Sequence, residues 1–321
     1  MGILVTGGAG FIGSHLIGAL LAQGRACACL DNFDTFYAPR IKGRNIEEFL
    51  SHPDFRLIEG DIRDQESLTR AAGAMDISFI VHLAARAGVR PSLMEPLLYQ
   101  DVNITGTMNV LEFARRREIK HLVFASSSSV YGDNEKVPFH EDDRVDHPIS
   151  PYAATKKAGE LLCHTYTHLY GIDITCLRFF TVYGPRQRPE MAIHAFTRKI
   201  DEGAPLQIFG DGTSQRDYTY ISDIIDGVVR AMDRLSGYQI FNLGESKTVS
   251  LVEVINLIED ALGKKARLEN LPPQPGDVLR TYADITRARQ CLDYRPKVTI
   301  QKGIPRFVKW FRSMKEELSR V

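Results

Sequence analysis

Tyr152 and Lys156 stand four residues apart in Tyr-Ala-Ala-Thr-Lys, a spacing that puts a phenol and an ammonium on one face of a helix. A phenol with a pKa near ~10 is a poor base at neutral pH. A fixed ammonium, joined by a second positive charge in a dry cleft, favours the phenolate; a shift of about three units takes roughly 4 kcal/mol. A surface pair of tyrosine and lysine is the plain alternative. Upstream, Ser126, Ser127, Ser128 and Ser129 follow the apolar run 121–125. Hydroxyls at the carboxyl end of a strand face a cleft and can bond both the tyrosine oxygen and a substrate oxygen. Singly, each serine is equally a loop residue; as a run they point to a site around Ser127.

The second positive charge has a source in the first turn of the chain. Gly7, Gly10 and Gly13 form GxxGxxG between an apolar strand and a helix that Phe11 and Ile12 open. Glycine there permits a tight turn, close approach of a pyrophosphate to backbone N–H groups, and close packing of helix on strand. Asp31, followed by Asn32, ends the second strand 18 residues after Gly13. A carboxylate at that place accepts hydrogen bonds from ribose hydroxyls and repels a 2′-phosphate, which selects NAD over NADP. Asp61 and Ile62 end the third strand within reach of an adenine, and Leu83-Ala84-Ala85 offers small residues where a flat cofactor passes. Lys156 then has a second duty, holding the nicotinamide ribose.

Elements that position these groups are legible. Strands are expected at Gly2–Thr6, 26–30, Phe55–Glu59, 77–83, 121–125 and 172–178, and helices at 11–23, 65–72, 96–117 and Pro151–Tyr170. Their alternation predicts an α/β fold, a doubly wound parallel sheet of Rossmann type. Past residue 178 prolines at 185, 189, 205, 272, 273, 275 and 296 punctuate the chain, predicting a smaller, loop-rich α/β domain that binds substrate, with 241–244 as one more strand of the main sheet. The expected division is 1–178, with 217–245 returning to it, for the cofactor, and 179–216 with 246–321 for the substrate.

With 321 residues the chain can bury roughly three quarters of its unfolded surface in one or two domains. Forty basic residues balance forty acidic ones, so no global field draws it to nucleic acid or a membrane. An anion must therefore be held by local geometry. No apolar run is long enough for a transmembrane helix, and a core strand at the start argues against a signal peptide. The five cysteines, Cys27, Cys29, Cys163, Cys176 and Cys291, show no CxxC or Cys/His cluster; neither a metal nor a disulfide is expected, and a reducing cytoplasm is.

The motifs together resemble the extended short-chain dehydrogenase/reductases over the whole chain, and among them the UDP-glucuronate 4-epimerases. TGGAGFIGSH at 6–15, HLAA at 82–85, SSSSVYG at 126–132 and YAATK at 152–156 carry the broad resemblance. VNITGT at 102–107, TVYGPRQRPEMA at 181–192, GDGTSQRDYTYISD at 210–223 and PGDVLRTYAD at 275–284 carry the narrower one. The resemblance implies tightly bound NAD, Tyr152 as base at the sugar C4 hydroxyl with Ser127 bridging, and a 4-keto sugar that turns over while UDP stays anchored. It implies that Ser128, Ser129, Thr181 and Arg188 hold a uronate carboxylate out of alignment for loss of CO₂. Arg188 is otherwise a solvated loop charge, with Arg186 beside it able to take the part. Arg216 and Arg280, with Asp277, are implied as anchors of the diphosphate and ribose; Tyr218 is equally a packing aromatic. Related dehydratases place an acid directly after the serine that matches Ser127, where this chain has Ser128. Helices 96–117 and 151–170 resemble the pair that forms a homodimer in relatives, though their apolar faces also suit a core. A 4-epimerase of neutral UDP-hexoses, a UDP-glucuronate decarboxylase and a non-catalytic NAD-sensing module are the competing readings.

Overall fold

A computed structural model describes residues 2–210, 212–234, 236–272 and 280–319. The first half alternates strand and helix: β1 (Gly2–Thr6), α1 (Phe11–Ala22), β2 (Ala26–Asp31), α2 (Pro39–Ile46), β3 (Phe55–Glu59), α3 (Gln65–Ala74) and β4 (Ile77–His82). Then come α4 (Val89–Met94), α5 (Pro96–Gln100), α6 (Gly106–Arg116), β5 (His121–Ser127), α7 (Pro151–Tyr170) and β6 (Asp173–Phe179). The remainder holds β7 (Thr181–Tyr183), α8 (Ala192–Glu202), β8 (Pro205–Phe209), β9 (Gln215–Tyr220), α9 (Ile221–Met232) and β10 (Tyr238–Leu243). It closes with β11 (Thr248–Ser250), α10 (Leu251–Leu262), β12 (Arg267–Leu271), α11 (Thr286–Leu292) and α12 (Ile300–Ser319).

Seven strands form one sheet in the order β10-β6-β5-β4-β1-β2-β3, every pair parallel. Parallel strands are buried on both faces, which is why β1 is apolar without alternation. Its Ile3 and Val5 pack in one core with α1 and α9, whereas Leu4 packs in the other with α3 and α6. From β1 the chain runs outward to β2 and β3, then returns to β4 on the opposite side. That reversal leaves a crevice above the carboxyl ends of β1 and β4, where ligands of open α/β sheets bind.

After residue 178 the described residues carry five helices, α8 to α12. Of the described prolines there, Pro205 opens β8, Pro272 follows β12 and Pro305 stands inside α12. Two small sheets, β11-β9-β7 and β12-β8, stand beside the large one, and the expected strand at 241–244 is β10, paired with β6. The helix expected over 96–117 is broken by a π-helical turn at Asp101–Thr105. There the Asn103 amide grips Arg86, accepting from its N–H at 2.8 Å and donating to its carbonyl at 3.0 Å, and it also reaches Thr155 on α7. No helix among the described residues is long and apolar enough to cross a membrane.

Candidate active site

The glycine turn is built on space that no side chain can use. Gly7 has φ +69°, and a Cβ on it would lie 2.8 Å from the Ala84 backbone. A Cβ on Gly13 would lie 2.3 Å from the Gly7 carbonyl oxygen. The turn thus presses α1 onto β1 and exposes backbone N–H groups at a helix start. Asp31, at the end of β2, is held beside it: its carboxylate accepts from Ala9 N at 3.2 Å, Phe33 N at 2.9 Å and Lys42 Nζ at 3.3 Å. These are the features a dinucleotide requires, a cradle without Cβ atoms for the pyrophosphate and a fixed acid for the ribose.

One cleft of about 600 Å³ gathers Gly7, Gly10, Phe11, Ile12, Gly13, Asp31, Asn32, Asp61, Ile62, Leu83, Ala84 and Ala85. Asn32 donates to Asp61 at 2.8 Å. Burial pushes the Asp61 carboxyl up, but hydrogen bonds from Arg63 and Asn32 outweigh it and hold the group at about 2. Its oxygens therefore already carry several donors.

Ser127, Ser128, Ser129, Tyr152 and Lys156 line the same cleft. Ser150 caps α7 by accepting from Ala153 N, with Pro151 at the first turn, so the helix starts just before Tyr152. Burial pushes the Tyr152 phenol above its ordinary value; a hydrogen bond with Ser127 and the nearby Arg188 guanidinium pull the other way. The Lys156 ammonium donates to the Ala125 carbonyl at 2.7 Å, and burial brings its pKa down to about 8. Arg188 is a cation near enough to pull the phenol down.

Thr181 and Arg188 line the same cleft. Arg188 ion-pairs through Nε with Glu190 at 3.0 Å and lies over the Phe36 ring. Arg186 takes another path: φ is +64°, its guanidinium pairs with Glu48 and stacks over Phe49, and it is not among the cleft-lining residues. Arg216 and Arg280 also stand outside that lining. They meet at Gln215, whose carbonyl accepts from Arg216 and whose side chain accepts from Arg280 Nε at 2.7 Å. Asp277 lies outside the described residues. Tyr218 is a core aromatic, edge-on to Tyr183.

Sequence reasoning missed Phe36, Tyr37, Lys42, Arg86, Arg90 and Glu190, all of which line the cleft. Arg86 lies over the other flank of the site, 4.9 Å from the Phe36 ring centroid and bonded to Asp34 at 2.7 Å. The one available signal was proximity in sequence to motifs already noted: Lys42 follows Asp31, Arg86 follows HLAA, and Glu190 follows Arg188.

A phenol, a serine and a lysine at the carboxyl ends of a parallel sheet, facing a dinucleotide cradle, define an enzyme of the short-chain dehydrogenase type that works on an alcohol. The chain belongs to the NAD dependent epimerase/dehydratase family, whose profile matches residues 3–244, and NAD is its cofactor. It is 44% identical to a UDP-glucuronate 4-epimerase of Thermodesulfobacterium geofontis over 319 residues, 99% of this chain and 98% of that one. The UDP-glucuronic acid 4-epimerase of Bacillus cereus, solved with UDP-glucuronic acid and NAD, superposes with a TM-score of 0.92 at 38% identity, covering 98% of this chain and 100% of that one. A UDP-glucose 4-epimerase of Thermotoga maritima, solved with UDP-glucose, has a TM-score of 0.90 at 32% identity, with 98% and 100% covered.

Proposed function

We propose that the protein is a UDP-glucuronate 4-epimerase, interconverting UDP-glucuronate and UDP-galacturonate through a 4-keto sugar. The observation that carries the proposal is the placement of Arg188 in one cleft with Tyr152, near enough to act on its charge, and with a serine loop that carries no acid. When bound, NAD supplies the two-electron carrier that accepts the C4 hydride and returns it. Tyr152 takes the C4 hydroxyl proton and gives it back on return, which a buried phenol beside Ser127 and a cation is placed to do. Ser127 bonds both oxygens. Arg188 offers a planar fork for the uronate carboxylate, with Ser128, Ser129 and Thr181 as hydroxyl donors. Those contacts hold the carboxylate's C–C bond out of line with the carbonyl π system, which suppresses decarboxylation. The glycine turn with Phe11 and Ile12, Asp31, Asn32, Asp61, Ile62 and residues 83–85 hold the cofactor.

Incubation of the purified protein with UDP-glucuronate and no added NAD tests this. UDP-galacturonate is the expected product, whereas a UDP-pentose with CO₂ marks a decarboxylase and no turnover marks a binding module. A neutral-sugar 4-epimerase is the second reading, and one contact favours it: Arg188 already has a carboxylate partner in Glu190. Turnover confined to UDP-glucose or UDP-N-acetylglucosamine would decide for it.

The division of labour proposed is 1–178 with 217–245 for NAD, and 179–216 with 246–321 for the UDP-sugar, where Arg216, Arg280 and Asp277 anchor the diphosphate and ribose. The protein works as a homodimer through the helices over 96–117, α5 and α6, and through α7. In support, Met94 and Leu97 are about four-fifths exposed, and Leu161 and Leu169 are more than half exposed, an apolar face that a partner copy would cover. Four of the five cysteines are buried and all are free, which suits a reducing cytoplasm.

A further inference from the structure

The face of α7 that presents Tyr152 and Lys156 continues one turn further to Glu160, because residues four apart share a face. Glu160 is wholly buried, and both its oxygens are fully engaged. One accepts from Ser126 Oγ at 2.7 Å and Arg178 Nε at 2.8 Å; the other accepts from Arg178 Nη2 at 2.9 Å and Lys157 Nζ at 3.4 Å. Arg178 projects from β6 and is 1% exposed. Its Nη1 donates to the Tyr131 hydroxyl at 3.0 Å and the Glu141 carbonyl at 3.2 Å.

Ser126 and Arg178 are partners across the β5–β6 register, so one carboxylate ties the helix to two strands at once. The tie sits between two contacts of the candidate machinery. Ala125, one residue before Ser126, accepts from Lys156; Ser127, one residue after, lines the cleft with Tyr152 and lies near enough to pull its pKa down. The helix lies very close to β5 here, since a Cβ on Gly159 would fall 2.4 Å from the Phe124 ring. Close packing sets the depth of the helix, and the bidentate pair sets its position along the strand.

Stability alone does not account for this pair. Taking both ions out of water costs several kcal/mol each, and apolar residues of similar volume commonly serve a core as well or better. We infer that Glu160 and Arg178 are positioning residues for the reaction: they fix α7 along β5 so that Tyr152 meets Ser127 and Lys156 meets Ala125. A slip of one helical residue is about 1.5 Å, and a misplacement near 1 Å costs on the order of a hundredfold in rate. The inference rests on Tyr152 being the base.

The test uses the holoenzyme with UDP-glucuronate and three variants, Glu160→Leu with Arg178→Met together, Arg178→Lys, and Tyr152→Phe. The paired variant removes both charges, so no ion is left stranded. Its kcat is expected to fall at least about tenfold, with KM and bound NAD unchanged and a cooperative melt retained. Arg178→Lys keeps the charge but loses the fork; it is expected to lower kcat with KM unchanged. Either variant melting like the parent with kcat within twofold overturns the inference, as does a change confined to KM. If only the paired variant fails to fold, Arg178→Lys decides by the same criteria. Failure of both to fold also overturns it, because the pair would then serve stability. An active Tyr152→Phe enzyme would sink the mechanism itself, whereas an inactive one beside fully active pair variants sinks only the positioning role.

Discussion

The two halves of the cleft are made of different material. The cofactor half is backbone and small residues set at strand ends: Gly7, Gly10, Gly13, Ala84 and Ala85, with Asp31 held by three donors. The half proposed for the sugar is long side chains from separate segments, each already engaged within the protein: Arg188 with Glu190 and Arg86 with Asp34. A wall of backbone cannot adjust without moving the sheet, whereas a wall of guanidinium groups can exchange one partner for another. Recognition of the dinucleotide is therefore rigid, and recognition of the sugar is a matter of which anion wins.

Substitutions can break this contrast at the seam or on either side. At the seam, Tyr152→Phe is expected to lower kcat by about 10²–10⁴-fold with KM for UDP-sugar little changed; steady-state rates check it. On the rigid side, Gly13→Ala places a Cβ against the Gly7 carbonyl. The protein is expected to purify without NAD and melt at lower temperature, as absorbance and calorimetry would show.

On the adjustable side, Arg188→Ala removes a charged hydrogen bond worth about 1.5–3 kcal/mol. KM for UDP-glucuronate should rise by roughly 10- to 150-fold while that for UDP-glucose holds, and UDP-pentose should appear. Unchanged turnover of UDP-glucuronate with no pentose would refute the clamp.

A further effect concerns Lys156 and pH. Burial lowers its pKa from 10.5 to about 8, so the unfolded chain holds that proton more tightly than the fold does. Stability from this group is complete above pH 10.5 and is lost as pH falls through about 8, a swing of the order of 3 kcal/mol. Lys156→Met should flatten the pH dependence of unfolding free energy across that window, measured by urea titration at several pH values.

The same contrast explains what was legible beforehand. GxxGxxG and YxxxK are local spacings on single elements, so the chain order alone shows the turn and the helix face. The alternation of apolar runs in the first half likewise reveals the parallel sheet. Phe36, Arg86 and Glu190 meet only because β2, β4 and the segment after β7 end at one level, and no spacing within a segment records that. The partner of Lys156 was hidden for the same reason, since Ala125 offers a carbonyl that any residue type would carry. The later helices were obscured because prolines were read as breakers, whereas α8 to α11 contain none and α12 runs through Pro305.

The π-helical turn at Asp101–Thr105 has a consequence for anyone trimming this chain. It is one residue too many for a regular helix, and that surplus aims Asn103 at both Arg86 and Thr155. Deleting a single residue there would give a tidier helix and better backbone bonding, yet swing the amide round the axis by about 100°. The wall beside Ala85 and the helix bearing the phenol would lose their common fastener, so the straighter protein would be the poorer catalyst.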